Sequence, residues 1–231
     1  APKLIFLEKP VCQSGSELKR LIDLSEQKNV EVVVNFTHRF DQHCQQLKIR
    51  IKTGKYGVLR NAYATYYSGW QHNGVHHVDT LSFLFDDDIE IISINNAMNS
   101  KYKSDPTLGL LAKFTHKPGK IYFKTFNEED YQLFELELQF DKSRVRLEDF
   151  GDRVIVEHHH INIIGENVIR LESNDLVDKT ETAMQVAVKL ICKFVEDGDR
   201  KILDGYRISD SVRTMNTIWQ GKKMYEKNRL K

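Results

Sequence analysis

The sequence predicts a short parallel α/β unit followed by an α+β part that is built on a large, mostly antiparallel, open β-sheet with flanking helices. Two observations support this fold class. Within the first 40 residues, two short apolar runs flank one amphipathic helix, and beyond residue 89 several segments alternate polar and apolar residues between turn-forming residues. The first pattern is typical of parallel sheets, and the second of antiparallel sheets with one covered face. We therefore predict two domains, at residues 1–40 and 41–231.

The first domain is predicted to contain a strand, a helix and a second strand. Residues 4–7 are uniformly apolar, which suits a strand that is buried on both faces. Ser14 or Ser16 can cap a helix that runs to about residue 28, and residues 30–36 form a second apolar, β-branched run. Because two parallel strands are too few for a stable sheet, this βαβ unit resembles the last part of a larger nucleotide-binding domain.

The second domain is predicted to begin with two helices and one strand. The helices cover residues 40–53 and 74–85, and the strand between them covers residues 58–68. Gly54 and Gly57 are expected to end the first helix. The predicted strands of the large sheet, which share a two-residue alternation, are 89–96, 109–115, 120–126, 133–140, 143–149 and 152–157. Two further helices, from about residue 179 to 196 and from 209 into the tail, end the chain.

The composition is that of an ordinary globular protein without a dominant charge. Apolar residues make up 40% of the 231 residues, and the formal net charge is +1, so we expect neither nucleic acid nor a membrane as a partner. The three cysteines are widely spaced, which indicates reduced thiols rather than a disulfide framework. No apolar run approaches the roughly 20 residues of a membrane span. We therefore expect a cytoplasmic protein.

Four short motifs occur in one order along the chain. They are Glu8-Lys9-Pro10, Asn35-Phe36-Thr37-His38-Arg39-Phe40, Gly54-Lys55-Tyr56-Gly57 and Gly74-Val75-His76-His77-Val78-Asp79. In this order and on this layout of elements, the chain resembles the oxidoreductases of the Gfo/Idh/MocA family over its whole length. The resemblance implies an enzyme that uses NAD or NADP to oxidise or reduce a hydroxyl or carbonyl group of a sugar, nucleotide sugar or cyclitol.

The sequence departs from the family pattern in two ways. It contains no Gly-x-Gly-x-x-Gly turn, the segment whose backbone approaches a dinucleotide pyrophosphate. His72 also stands where the family often has an aspartate. Two explanations stay open at this point: the sequence is part of a longer enzyme, or it is a naturally shortened, non-catalytic paralogue that acts as an oligomerisation or interaction module.

The resemblance implies three candidate catalytic residues. Lys9 follows a parallel strand, where ligands of open α/β sheets bind, and its ammonium group can stabilise a developing alkoxide. His76 is the candidate general base, because the ordinary pKa of histidine suits proton transfer near neutrality. His72 either replaces the family's aspartate as a base or orienting group, or marks a site that has lost catalysis.

Further residues are candidates for binding. The resemblance places Glu8, Lys9, Pro10, Asn35 and Arg39 near the nicotinamide of the cofactor. The alternative for Arg39 is a salt bridge that fixes the helix between the domains.

The candidate substrate-binding residues are Tyr67, Trp70 and Asp79. The two aromatic rings can stack on a sugar or pack in the core, and Asp79, three residues after His76, can orient its imidazole or pair locally.

We predict no metal site. His72 and His76 have the spacing of two helical zinc ligands, but Gly74 lies between them and is expected to interrupt the helix. Residues 158–160, three consecutive histidines, are expected at a loop or strand edge. From the resemblance we also expect a homo-oligomer that associates through the open sheet, with residues 134–140 as part of that face.

Overall fold

The computed structural model of the protein describes residues 2–171 and 176–229, and it begins with the predicted parallel unit. Strand β1 (Leu4–Leu7) pairs in parallel with β2 (Glu31–Val34), and helix α1 (Gly15–Lys28) connects them. The predicted βαβ unit is therefore confirmed.

The two edges of this small sheet differ. The outer edge of β2 has a backbone partner, because Val33 forms an antiparallel bridge with Arg207. The outer edge of β1 has no strand partner within residues 2–171 and 176–229. Ile5, Leu21 and Leu24 are exposed apolar side chains of β1 and α1. The parallel unit thus leaves an open edge and several uncovered apolar side chains.

The second sheet has eight strands, most of them antiparallel. Its strands are β3 (Leu59–Tyr66), β4 (Ile89–Met98), β5 (Thr107–Phe114), β6 (Lys120–Thr125), β7 (Glu135–Phe140), β8 (Ser143–Glu148), β9 (Arg153–Ile161) and β10 (Asn167–Arg170). Their spatial order is β10-β9-β8-β7-β3-β6-β5-β4. The predicted large, mostly antiparallel sheet is confirmed, and β10 is a strand that sequence reasoning missed.

Strand β3 has an unexpected place in this sheet. It lies between β7 and β6, antiparallel to the first and parallel to the second. The sheet is therefore two meanders, β4 to β6 and β7 to β10, joined by an earlier strand, whereas the alternation of the sequence predicted one continuous meander. Alternation reports which side chains are buried but not which strands are neighbours.

Within residues 2–171 and 176–229, five α-helices besides α1 complete the fold. They are α2 (Thr37–Phe40), α3 (Gln42–Lys52), α4 (Val75–Phe85), α5 (Ala183–Asp197) and α6 (Val212–Arg229). The last two residues of the predicted tail helix lie outside the described residues. Helix α4 packs between α3 and α6, and α6 packs on β4, so α4 is buried on most sides. Among the described residues, no helix combines the length and the apolar character needed to cross a membrane.

Strand β7 shows how the large sheet divides its two faces. Leu136 and Leu138 are buried in the main core, whereas Glu135 and Glu137 alternate with them on the opposite face. The face that is left open by the helices is consequently lined by charged and polar side chains.

The segment before α4 corrects one sequence expectation. Residues Trp70–Gly74 form a π-helical turn that continues directly into α4, and Gly74 itself has a helical conformation. Gly74 therefore does not interrupt the helix. A Cβ atom there would lie 2.6 Å from the Trp70 ring, so the glycine is required for close packing.

Candidate active site

A buried carboxylate holds the turn that precedes α4. The Asp105 oxygens accept hydrogen bonds from the amides of Gln71 and His72, each at 2.8 Å. Gly69 has a φ of +95°, and a Cβ atom there would lie 2.3 Å from the Asp105 carboxylate. The approach of Asp105 to this turn thus depends on the glycine, and it fixes the backbone at the start of α4.

Lys9 connects the parallel unit to this turn. It is the second residue after β1 and precedes Pro10 through a cis peptide bond. Its Nζ donates a 2.7 Å hydrogen bond to the carbonyl of His72. Burial lowers the pKa of the Lys9 ammonium group, and the nearby carboxylates of Glu8 and Asp105 oppose that shift. The predicted Lys9 and the start of α4 are therefore brought together, although they are 63 residues apart.

His76 lies in the first turn of α4. Burial lowers its pKa well below the ordinary 6.5, and the charge of Lys9 and the neighbouring imidazole of His38 lower it further. Its ring contacts Phe134 edge-on, with the centroids 6.2 Å apart. His76 is consequently neutral near pH 7, which is the protonation state that a general base needs.

The side chain of His72 contacts Tyr102 rather than Lys9. Its Nε2 forms a 2.9 Å hydrogen bond with the hydroxyl of Tyr102, and the two rings lie 4.2 Å apart. Burial lowers the pKa of His72, with smaller contributions from the charges of Lys9 and Lys101. It is the carbonyl of His72, rather than its imidazole, that contacts Lys9.

The candidate nicotinamide-binding residues fall into two groups. Asn35, which directly follows β2, donates a 2.7 Å hydrogen bond to the Glu8 carboxylate, and both residues lie at the same end of the small sheet as Lys9 and Pro10. Arg39 lies elsewhere, because its guanidinium is buried on Asp79.

The ion pair of Arg39 and Asp79 corrects two expectations. The Arg39 Nη2 lies 2.6 Å from an Asp79 oxygen, the pair is nearly inaccessible to solvent, and Thr214 donates a further 2.8 Å hydrogen bond to the same carboxylate. Neither group is free to contact a cofactor or substrate, nor does Asp79 orient His76. The structure agrees with the alternative for Arg39, because its guanidinium forms a structural salt bridge.

The two candidate aromatic residues, Trp70 and Tyr67, differ in their contacts. Trp70 is 1% exposed, and its Nε1 donates a 3.0 Å hydrogen bond to the carbonyl of Ile218. Of the two alternatives for Trp70, the structure shows packing in the core. Tyr67 is 7% exposed and contacts the ring of Phe150 edge-on at 6.3 Å.

Sequence reasoning missed His38, which links three parts of the site. Its Nδ1 shares a 2.7 Å hydrogen bond with the Thr80 hydroxyl, and its Nε2 contacts the carbonyl of Phe150 at 3.0 Å. Since a carbonyl can only accept, Nε2 carries a proton. The Thr80 hydroxyl also contacts the carbonyl of His76 at 2.7 Å. Within the Asn35–Phe40 motif His38 had no distinguishing signal, because its partners lie 42 and 112 residues away.

The residues that the resemblance assigns to a dinucleotide belong only to its nicotinamide end. Lys9, Glu8 and Asn35 supply charged and amide groups at one end of the small sheet, and the charge of Lys9 contributes to the low pKa of His76. The pyrophosphate lacks a cradle in this sequence, which contains no Gly-x-Gly-x-x-Gly turn. For metals, no cluster of three or more histidine, cysteine, aspartate or glutamate residues with suitable placement occurs in residues 2–171 and 176–229.

Comparison with solved structures identifies proteins of the same fold. An oxidoreductase from Sinorhizobium meliloti matches 96% of this chain and 70% of its own, with 11% identity and a TM-score of 0.73. An inositol dehydrogenase homolog from Azotobacter vinelandii, solved with NADH and myo-inositol, matches 96% and 69% of the two chains, with 12% identity and a TM-score of 0.70.

The same fold also occurs in a protein with another role. A super-repressor mutant of Gal80p from Saccharomyces cerevisiae matches 99% of this chain and 70% of its own, with 12% identity and a TM-score of 0.70. No protein-family model and no curated protein matches the sequence. The chain therefore has the fold of these oxidoreductases and of Gal80p, as its resemblance to the Gfo/Idh/MocA family predicted.

Proposed function

We propose that this protein takes part in the NAD- or NADP-dependent oxidation or reduction of a sugar, nucleotide sugar or cyclitol. The observation that carries the proposal is the 2.7 Å hydrogen bond from Lys9 to the carbonyl of His72, about one helical turn before His76. The positive charge of Lys9 is close enough to contribute to the low pKa of His76. A cationic hydrogen-bond donor and a neutral base side by side are what oxidation of a hydroxyl group requires.

Each residue has a distinct part in the proposed chemistry. The Lys9 ammonium group donates a hydrogen bond to the reacting oxygen and stabilises the alkoxide, while neutral His76 accepts the hydroxyl proton. The bound dinucleotide supplies hydride transfer. His72 acts as a positioning residue, because its carbonyl anchors Lys9 while Tyr102 holds its imidazole.

The domain assignment and the assembly extend this proposal. We assign residues 1–40 to the cofactor side and residues 41–231 to the substrate side, and we propose association of two copies through the open face of the large sheet. That face is polar, with ion pairs such as that of Arg144 and Glu157 at 2.6 Å. Such an interface would be held largely by complementary charges.

A second candidate function is a non-catalytic interaction module. The likeness to a super-repressor mutant of Gal80p favours it. The hydrogen bond of His72 to Tyr102 also fits a site whose family aspartate has been lost.

A fluorescence titration of the 231-residue chain with NADH and with NADPH tests the proposal. Saturable binding with micromolar affinity supports it, and turnover with sugars and cyclitols would then identify the substrate. If no binding occurs up to about 1 mM, a free energy weaker than roughly −4 kcal/mol, catalysis by this chain is contradicted and the interaction module is favoured.

A further inference from the structure

The loop between β4 and β5, residues 99–106, holds the turn that precedes α4. Three successive amides of the turn donate hydrogen bonds to this loop. The amide of Trp70 bonds a loop carbonyl at 2.9 Å, and those of Gln71 and His72 bond the two carboxylate oxygens of Asp105 at 2.8 Å. Because the turn continues directly into α4, these are the first amides of one continuous helix, which a helix leaves without internal partners.

Asp105 therefore caps the N-terminus of this helix from 33 residues away along the chain. The residue at the local cap position, Gly69, has no side chain that could do so. A carboxylate is favoured there by the amide hydrogen bonds and by the positive end of the helix dipole. Asp105 is only 7% exposed, so water does not readily replace it as the acceptor of these amides.

His72 connects this cap to Lys9. Its amide donates to Asp105, its imidazole bonds the Tyr102 hydroxyl at 2.9 Å, and its carbonyl accepts the 2.7 Å hydrogen bond from the Lys9 Nζ. Two of these three partners belong to the same loop. The acceptor that anchors the Lys9 ammonium group is thus held in place by Asp105 and Tyr102.

The charged and titratable groups near Lys9 come from three parts of the chain. Glu8 precedes it, Asp105 belongs to the loop, and the imidazoles of His72 and His76 belong to the turn and to α4. Burial lowers the pKa of Lys9, whereas the carboxylates of Glu8 and Asp105 raise it. Asp105 consequently favours the protonated form of Lys9 from a fixed, buried position.

We propose that Asp105 is a positioning residue, which caps the helix that carries His76 and thereby holds the carbonyl of His72 against the Lys9 ammonium group. The inference rests on the proposed function and extends it by a residue that touches neither cofactor nor substrate. Without this carboxylate, the amides of Gln71 and His72 lose their acceptor, and the anchor of Lys9 shifts. Small displacements of this kind impair chemistry that depends on exact placement.

NMR of isotope-labelled lysine side chains measures the Lys9 ammonium group directly, without cofactor or substrate, and Lys9→Met identifies its signal. Asp105→Asn keeps the shape of the side chain but removes its charge. The pKa of Lys9 is therefore expected to fall further below the ordinary 10.5. The amide signals of Gln71 and His72 should move in the same variant, because one of the two amides then faces an NH₂ group instead of an acceptor.

Turnover gives a second measurement. Asp105→Asn is expected to lower kcat at least about tenfold with little change in KM, because the lost placement acts on the transition state rather than on binding. The alkaline limb of the pH profile should also move to lower pH, since Lys9 loses its proton earlier. A purely structural role of Asp105 would not move this limb.

Asp87→Asn is the matched control. Asp87 is also a buried carboxylate, 3% exposed, and it accepts the amides of Asp88, His116 and Lys117 at 2.8–2.9 Å, beyond the opposite end of α4. Its replacement removes a carboxylate that bonds backbone amides, as Asp105→Asn does, but far from the turn. We expect an unchanged Lys9 titration and a kcat within threefold of the wild type.

A milder variant covers the case in which Asp105→Asn does not fold. The Ser100 hydroxyl bonds the backbone carbonyl of Asp105 at 2.8 Å and the amide of Tyr102 at 3.0 Å. Ser100→Ala therefore loosens the loop without altering the carboxylate. It should shift the amide signals of Gln71 and His72 and the Lys9 titration in the same direction, by less.

The outcomes separate this inference from the proposed function. A Lys9 titration that moves to lower pH in Asp105→Asn but not in Asp87→Asn supports the positioning role, and it does so even if the chain fails to bind NADH and NADPH, a failure that contradicts the oxidoreductase alone. A folded Asp105→Asn with the wild-type Lys9 titration, or an equal shift in Asp87→Asn, would overturn the inference. If Asp105→Asn does not fold, an unchanged Lys9 titration in Ser100→Ala overturns it.

Discussion

The guanidinium of Arg39 and the carboxylate of Asp79 form a buried ion pair between α2 and α4. The Arg39 Nε and Nη2 both donate to this carboxylate, at distances between 2.6 and 3.2 Å. Arg39 also donates to the carbonyls of Gly205 and Asp210, in the segment before α6. One side chain thus joins the parallel unit, the helix of the candidate active site and the C-terminal segment.

Replacement of Asp79 by asparagine is expected to lower the free energy of unfolding by about 3–5 kcal/mol, because it leaves the Arg39 charge buried without a counter-ion. Urea denaturation measures this change. The matched control is Glu90→Gln at the exposed pair of Glu90 and Lys113, where we expect a loss of no more than about 1 kcal/mol. Equal losses in both variants would contradict a special role for the buried pair.

Removal of either candidate catalytic side chain should impair turnover far more than folding. Lys9→Ala and His76→Ala are each expected to lower kcat/KM by at least about 10²-fold, the usual scale for lost acid–base or electrostatic assistance. The assay uses the nucleotide and the sugar or cyclitol that give the highest turnover. Lys3→Ala, an exposed lysine bonded to the Val195 carbonyl, is the control. A decrease below threefold in either active-site variant would refute that residue's assignment.

The proximity of Lys9 to both histidines has a spectroscopic consequence. Its charge lowers the pKa of His72 and of His76, whereas the charge of Lys101 is a cause only for His72. Lys9→Met should therefore raise both pKa values, and Lys101→Met only that of His72. NMR titration of the imidazole Cε1 protons distinguishes the two histidines. An unchanged His76 pKa in Lys9→Met would mean that the two side chains do not meet in solution.

Stability should decline in acid because His77 is buried in the neutral form. Burial lowers its pKa from the ordinary 6.5 to about 3. The unfolded chain therefore binds a proton that the folded chain excludes, so this contribution is complete above pH 6.5 and is lost as the pH falls toward 3. The half-buried His76, whose pKa is also lowered by desolvation, acts in the same direction.

Urea denaturation between pH 7 and pH 4 checks this decline. The slope that is due to His77 is at most about 1.4 kcal/mol per pH unit. His77→Phe preserves the stacking on Phe134 and should flatten the slope. The exposed His159, changed to glutamine, should retain it. If both variants keep the wild-type slope, His77 does not account for the acid sensitivity.

Several features of the fold follow from local sequence alone. The uniformly apolar β1 and the strict alternation of β7 predict a parallel and an antiparallel strand, because apolar positions mark the faces that a strand covers. The expected burial of β1 on both faces is not found, since Ile5 is exposed. The place of β3 between β7 and β6 does not follow, since the partner of a strand depends on the path of the whole chain. Gly74 was expected to interrupt a helix. It instead lies within one, and its lack of a Cβ atom lets the Trp70 ring pack closely against it.

Hydrophobic periodicity and short motifs are local properties, so the amino-acid sequence was sufficient to predict the fold class and, through the family resemblance, to nominate Lys9 and His76 as candidates. Only the tertiary structure decided what surrounds them. It placed Arg39 and Asp79 in a buried ion pair, bonded the His72 imidazole to Tyr102, and set the Phe134 ring between Phe150 and His76. Hydrogen bonds, ion pairs and ring stacks between residues far apart in the chain leave no local pattern, so they appear only once the chain has folded.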